Sequence, residues 1–399
     1  MTSILSPPSQ ANKANTKVIV KYVDLPLQFR RYKHEILQRI EQVCESGQYI
    51  LGPELERFEK DFAVYCQCKH AIGVANGTDA LFLVMKALGI GPGDEVITAT
   101  NSFLASAGAV AAIGAKPVLV DVQDDLNIDP AAIERAITPA TKAIIPVHLT
   151  GRPADMNKIL DISRRHHLFV IEDAAQAVGA EYNGKRVGSL GTAAAFSLHP
   201  LKILHVYGDG GVITTNDDAL ADALRKLRNH GLVTRDICER WGYNSRLDSI
   251  QAAIANVRLS HLHEDHQVLQ SVAAAYRKGL HDVVVQGSVI VPQDKPHERA
   301  VYHTFIIQCD QRDALQAYLL SHGIETKVHY PIPIHAQQPG RELGYKSGDL
   351  PRAEFLATRI LSLPIYPGLT EEQISLVIKT IHSFYQQPIN NKMGFSKNN

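Results

Sequence analysis

From about residue 71 onward, short apolar runs alternate with segments of helical periodicity. Ala71–Ala75 reads as a strand. Gly77–Leu88 follows as a helix, with Leu81, Val84, Met85 and Leu88 on one face. Beyond the turn Gly91-Pro92-Gly93-Asp94 come a strand at Glu95–Ala99, a small-residue helix at Phe103–Ile113 and a strand at Pro117–Val120. Lys142–Val147 and Leu168–Glu172 are near-continuous apolar strands separated by the helix Ala154–His166. Ala193–Ser197 and Val212–Thr215 close the series. Strands that are apolar on both sides are buried on both faces. Their alternation with helices predicts an α/β unit around a parallel, or mostly parallel, sheet. In such sheets ligands bind at the carboxyl ends of the strands.

The pattern changes beyond Asn256. A long helical stretch, Ser245–Leu280, leads out of the first unit. Strands at Ser288–Val291 and Thr304–Ile307 and helices at Arg312–His322 and Glu371–Tyr385 then predict a smaller α+β domain. The expected organisation is a mobile arm at 1–16, a large domain at 17–256 whose first segment could pack with the small one, a small domain at 257–386, and a frayed tail at 387–399.

Composition adds exclusions. The 399 residues are 45% hydrophobic and 21% charged, an ordinary globular mixture. The 41 basic and 41 acidic side chains cancel, so neither a nucleic-acid polymer nor an anionic membrane is an expected partner. Cys44, Cys66, Cys68, Cys238 and Cys309 lack a framework spacing, which points to reduced thiols and a cytoplasmic setting. Met1–Lys21 is polar and small, without the apolar core of an export signal, and no apolar run is long enough to span a bilayer.

The strand ends carry the candidate chemistry. Asn76-Gly77-Thr78-Asp79-Ala80 follows the first strand, where glycine allows close backbone approach and a helix N-terminus offers free N–H groups to an anion. An ordinary helix cap would look the same. Glu172-Asp173-Ala174-Ala175-Gln176 puts a carboxylate at the mouth of the sheet, where a protonated pyridine nitrogen is one natural partner and a helix cap the plain alternative. Ser197-Leu198-His199-Pro200-Leu201-Lys202 sets a hydroxyl at a strand end and a lysine among apolar neighbours. Such a lysine is expected to have a depressed pKa suited to Schiff-base chemistry, although most single lysines lie on the surface. Gly208-Asp209-Gly210-Gly211 permits tight packing near a ligand but is not a dinucleotide fingerprint. The joint order is a phosphate turn, a pyridine carboxylate, a phosphate serine and a Schiff-base lysine.

These segments resemble the DegT/DnrJ/EryC1/StrS sugar aminotransferases, from about Tyr22 to about Ser383. Glu172–Gln176 and Ser197–Lys202 with Gly208–Gly211 are the most specific. The resemblance implies the fold type I architecture of aspartate aminotransferase and the cofactor pyridoxal 5′-phosphate (PLP), cycling with its pyridoxamine form (PMP). It implies that Lys202 holds the cofactor and acts as base, and that Asp173 pairs with the ring nitrogen. Gln176 would face the ring oxygen region. Gly77, Thr78 and Ser197 would hold the phosphate and Phe103 would stack on the ring. Asn244 would reach the phosphate from a partner subunit, making a homodimer with shared sites, and His329 and Tyr330 would lie near the sugar. The implied reaction moves an amino group from L-glutamate to a nucleotide-linked keto-6-deoxyhexose, with the 3-keto position favoured over the 4-keto. The product is an aminosugar for glycan or secondary-metabolite biosynthesis. Two positions depart from the family pattern. Ile203 stands where Asn is frequent, and His199 where an aromatic is common.

Rival readings are a sugar dehydratase, an inosose aminotransferase and a non-catalytic regulator of the same fold. Lys202 argues against the dehydratase branch, in which histidine replaces it, and Lys202 with Asp173 argues against the regulator. His261, His263 and His266, with Glu264 and Asp265, read as a solvated helix face and not as a metal site. His166-His167, Arg164-Arg165 and Arg225–Arg228 likewise read as solvated.

Overall fold

Seven strands form one twisted sheet: β1 (His70–Val74), β2 (Glu95–Ala99), β3 (Lys116–Val120), β4 (Thr141–Ile145), β5 (Phe169–Asp173), β6 (Ala193–Ser197) and β7 (Gly211–Thr215). This computed structural model describes residues 18–386; the arm expected over 1–16 and the tail expected over 387–399 lie outside the described residues. The strand order is β1-β7-β6-β5-β4-β2-β3. The pairs β2–β3, β2–β4, β4–β5 and β5–β6 are parallel, and β7 runs antiparallel to both β6 and β1. β7 follows β6 through the loop Leu198–Gly210, which contains no helix, and returns antiparallel beside it.

Side-chain alternation splits each strand between two cores. Ala193 and Ala195 of β6 face the cluster formed by helices Gly77–Ala87, Ala105–Ala112 and Asp218–Leu227. Ala194 and Phe196 face the opposite layer, where Phe58 and Phe62 of helix Pro53–Tyr65 meet Ala252 and Ala255 of helix Ser249–Ser260. Further along that layer, Ile97, Ile144 and Val170 pack on Ile159 and Ile162 of helix Met156–His166. The sheet is therefore covered on both faces, as its apolar strands predict. The sequence pattern did not register helices Leu25–Ser46, Pro53–Tyr65, Pro130–Ala136 and Asp218–Leu227.

A separate core gathers Leu269, Val272 and Tyr276 of helix Leu262–Gly279, Val377, Ile381 and Phe384 of helix Glu371–Gln386, and the antiparallel strands β8 (Val289–Ile290), β9 (Phe305–Cys309) and β10 (Ile360–Leu363). Val20 joins this core and bridges to Ile324, so the first described residues pack with the smaller unit.

The stretch Ser245–Leu280 was expected as one helical run. It is two helices, Ser249–Ser260 and Leu262–Gly279, broken at His261, whose ring stacks on Tyr32 at 4.3 Å. The histidine patch also departs from its expected solvated face. Asp265 and His266 are buried, because the second helix turns that side onto Tyr32 and Tyr65. Arg228 is buried too, pairing with Glu59 and donating to the Gly73 carbonyl at 2.8 Å.

Candidate active site

The carboxyl ends of β1, β2, β5 and β6 converge, and the antiparallel β7 contributes its start, Gly211, to the same edge. β5 is the central strand, so its last residue, Asp173, emerges in the middle of that edge. Asp173 is buried. Its carboxylate accepts hydrogen bonds from the Ser106 hydroxyl at 2.7 Å and from the Ala175 N–H at 3.2 Å. Ser102 extends this chain, with its hydroxyl 2.8 Å from that of Ser106.

The preceding residue, Glu172, points to the other side and is a structural latch. Its carboxylate accepts from the N–H groups of Gly188, Leu190 and Gly191 at 2.8–3.0 Å. It also pairs with His148 Nε2 at 3.0 Å, while His148 Nδ1 accepts from the Ala154 N–H. The buried carboxylate is thus fully partnered.

Lys202 lies on the loop after β6. Burial pulls its ammonium down from 10.5 to about 8, while the Asp173 carboxylate works in the opposite direction. Two imidazoles flank it. His303 is held well below its ordinary value by burial and by the Lys202 charge, and His329 is lowered to about 4 for the same reasons. Tyr330 is raised to about 12 by burial and by Asp173, and the Gln176 amide donates to its hydroxyl at 3.4 Å. Gln176 Oε1 accepts from the Thr150 N–H at 2.8 Å, which fixes the amide orientation. Phe103 is exposed, 6.2 Å from the Tyr330 ring.

At the end of β1 the Asn76 side chain caps the Asp79 N–H at 2.8 Å. The N–H groups of Gly77 and Thr78 have no partner among the described residues, as expected for a helix's first turn. Gly77 lies against Ser197. A Cβ there would fall 2.8 Å from the Ser197 Cβ. Gly211 is equally constrained, since a Cβ would fall 2.3 Å from the Asn76 carbonyl oxygen. Two glycines thus press an anion-ready turn against a serine hydroxyl. Asn244 is exposed, beside Ser245, whose hydroxyl donates to Asp79 at 2.6 Å.

The structure therefore brings together Gly77, Ser197, Asp173, Gln176, Lys202, His329 and Tyr330, with Thr78 and Phe103 at the rim. Sequence reasoning missed Ser106, His303 and Tyr22. The Tyr22 ring lies 5.7 Å from that of His329, tilted against it, and burial raises its hydroxyl pKa. A hydroxyl at the start of the helix after β2 was the available signal for Ser106. Nothing local marks His303. Among the described residues, no cluster of three or more His, Cys, Asp or Glu side chains could hold a metal ion.

The donor set fits PLP. An amine made uncharged-prone by burial faces a carboxylate, and free N–H groups meet a serine at one helix N-terminus. Fold and site define a PLP-dependent transferase of the aspartate aminotransferase architecture. Comparison with known sequences narrows this class. The profile described as the DegT/DnrJ/EryC1/StrS aminotransferase family matches residues 30–382, and the chain belongs to that family. It is 48% identical over 368 residues to a pleiotropic regulatory protein of Geobacillus stearothermophilus, covering 92% of this chain and 99% of that protein. It is 43% identical over 369 residues to the dTDP-3-amino-3,4,6-trideoxy-alpha-D-glucose transaminase of Streptomyces venezuelae, covering 92% and 97%. The crystal structure of S. venezuelae DesV in complex with a ketimine intermediate superposes with a TM-score of 0.90 at 43% identity, covering 94% of this chain and all of that one. The chain is a PLP-dependent aminotransferase.

Proposed function

We propose that the protein transfers an amino group from L-glutamate to a nucleotide-linked keto-6-deoxyhexose, with the 3-keto position favoured. The observation that carries this reading is the depressed Lys202 amine facing Asp173 at the mouth of the sheet. The 3-amino sugar in the name of the S. venezuelae relative supports the position. When bound, PLP supplies an aldehyde and an electron-accepting ring. Lys202 Nζ would hold the aldehyde and, once displaced by the donor amine, would move the donor's α-proton as a neutral base. Asp173 would accept a hydrogen bond from the ring nitrogen and keep it protonated, with Ser106 orienting the carboxylate. The Gly77 and Thr78 N–H groups and the Ser197 hydroxyl would bind phosphate. Gln176 and Tyr330 would line the ring's far edge, Phe103 would cover its face, and His329 would meet the sugar.

A homodimer is part of the proposal. The hairpin Leu232–Thr234 with Ile237–Cys238 carries exposed Val233 and Ile237, and Trp241 beyond it is 94% exposed. So much apolar surface in water supports a protein partner. The segment leads directly to Asn244, whose phosphate contact would then be made in the second subunit's site. The five free thiols, the neutral overall charge and the absence, among the described residues, of any helix able to cross a membrane support a cytoplasmic enzyme.

The regulatory name of the Geobacillus relative keeps one second reading in view, a sensor that retained the fold. A spectrum separates the two. On adding L-glutamate the transaminase exchanges its visible PLP band for that of PMP, and a panel of dTDP- and UDP-linked ketosugars then restores it. No spectral change with any amino donor would remove the transaminase reading.

A further inference from the structure

The loop Leu198–Gly210 carries Lys202 with no regular helix to stiffen it. Its ends are tied by the Leu198 N–H to the Gly210 carbonyl at 2.8 Å and the Val206 N–H to the Leu198 carbonyl at 2.9 Å. The stretch holding the amine is fastened from below by other groups. His205 Nδ1 donates to the Lys202 carbonyl at 2.8 Å, and Arg258 Nη2 donates to the Ile203 carbonyl at 3.4 Å. Gln251 clamps Tyr207 twice, accepting its N–H at 2.9 Å and donating to its carbonyl at 3.0 Å. Gln251 and Arg258 are seven residues apart on helix Ser249–Ser260, which places them on one face two turns apart.

Arg258 is an unusual residue to find there. Its side chain is 2% exposed, its nearest carboxylate oxygen, on Asp265, is 3.8 Å away, and its Nε and Nη1 have no hydrogen-bond partner among the described residues. Asp265 is already engaged by Arg31 at 2.7 Å and by the Tyr32 hydroxyl at 3.0 Å. A guanidinium cannot shed its proton, so a buried one must find acceptors. The Ile203 carbonyl and the Tyr207 hydroxyl that faces it are what the loop offers. If the loop lifted away, the guanidinium would lose both of these acceptors, and that loss opposes the movement.

We propose that Arg258, with Gln251 two turns before it, is a positioning residue for Lys202: the pair pins the lysine loop so that the amine stays at the buried end of β6. The inference rests on the reading of Lys202 as the cofactor lysine. The groups around Arg258 are Asp265, Arg31 and Tyr32 from the two flanking helices, and His205 and Tyr207 from the loop. Those around Lys202 are Asp173, His303 and His329.

The test titrates Lys202 in the cofactor-free protein, by competitive acetylation with acetic anhydride across pH and mass spectrometry of its peptide. In Arg258→Met the amine escapes burial, and its midpoint is expected to rise by about one pH unit toward that of an exposed lysine. Arg258→Lys keeps a donor cation and gives a smaller rise. Gln251→Leu frees only the Tyr207 end and also gives a smaller rise. In the PLP-loaded Arg258→Met enzyme, kcat falls by about tenfold while KM for L-glutamate changes less than about twofold. A loss of stability alone would not move the Lys202 midpoint of the folded protein. An unchanged midpoint in folded Arg258→Met overturns the positioning role. Should that variant not fold by circular dichroism, an unchanged midpoint in Gln251→Leu overturns it instead. Failure of the Lys202 reading shows separately, as a borohydride-trapped PLP adduct on a different peptide of the parent protein.

Discussion

Replacing Lys202 by methionine should stabilise the cofactor-free protein, and by an amount that depends on pH. The amine is lowered from 10.5 to about 8 because the fold disfavours its charged form. At 1.36 kcal/mol per pH unit, the penalty on the protonated fold reaches about 3 kcal/mol. The sign follows from where the proton prefers to sit. Between pH 8 and 10.5 the unfolded chain binds this proton and the folded one does not, so folding gains stability as pH rises. Below pH 8 both states carry the proton and the full penalty applies. Above 10.5 neither does and the penalty is gone. Methionine has a similar length and no charge, so differences in packing between the two proteins add only a constant offset. Chemical denaturation of both cofactor-free proteins from pH 6.5 to 11 should therefore show the variant ahead by the largest margin below pH 8. The margin should shrink through the window 8 to 10.5. Other groups titrating there, tyrosines above all, cancel in the comparison. A margin independent of pH would mean that the fold does not depress this amine, and the argument for a neutral base at position 202 would fail with it.

Other substitutions probe the rest of the site. Asp173→Asn should still bind PLP but lose roughly a hundredfold or more in kcat, since an amide cannot keep the ring nitrogen charged; single-turnover absorbance with L-glutamate reads this directly. Ser106→Ala removes the hydroxyl 2.7 Å from Asp173. A hydrogen bond to a charged group contributes about 1.5–3 kcal/mol, and the loss should appear as a lower kcat with cofactor affinity, by fluorescence titration, little changed. Gly77→Ala drives a methyl to 2.8 Å from the Ser197 Cβ. Overpacking of this kind costs about 1–3 kcal/mol, and PLP affinity should fall because the phosphate turn is pushed off the serine.

The central sheet was legible because its signal is local. Apolar runs such as Ala143–Ile145 and Val170–Ile171 are buried on both faces, and their shortness and β-branched content mark them as strands. The antiparallel direction of β7 was not legible, since Val212–Thr215 reads like any other strand and nothing within it records which way its neighbours run. The helices before residue 71 carry many charges, and their apolar faces are narrow. In Leu25–Ser46 only Gln28, Tyr32, Ile36 and Val43 are buried, too sparse a stripe to stand out against Lys, Arg and Glu. The histidine patch misled for a related reason. His261, His263 and His266 look solvated as a composition, but the three lie on different sides of a helix turn. Only packing against Tyr32 and Tyr65 decides which of them goes inside.

Site residues divide along the same line. Asp173, Ser197, Gly77 and Lys202 follow strand ends, so a reader who trusts the sheet can find them by counting. Ser106, His303 and Tyr22 reach the same place from a helix, from the lead-in to β9 and from the chain's beginning, and no spacing rule connects those positions. What unites the second group is that each one partners or flanks a group of the first: Ser106 holds Asp173, His303 adjoins Lys202, and Tyr22 covers His329. Reactive groups must sit where the fold opens to ligand, and that place is predictable from topology. Supporting groups need only lie within hydrogen-bond or ring-contact distance, and any element that folds back can supply them. Arg258 is proposed as another of the supporting kind: it donates to the Ile203 carbonyl next to Lys202, and its Nε and Nη1 have no hydrogen-bond partner among the described residues.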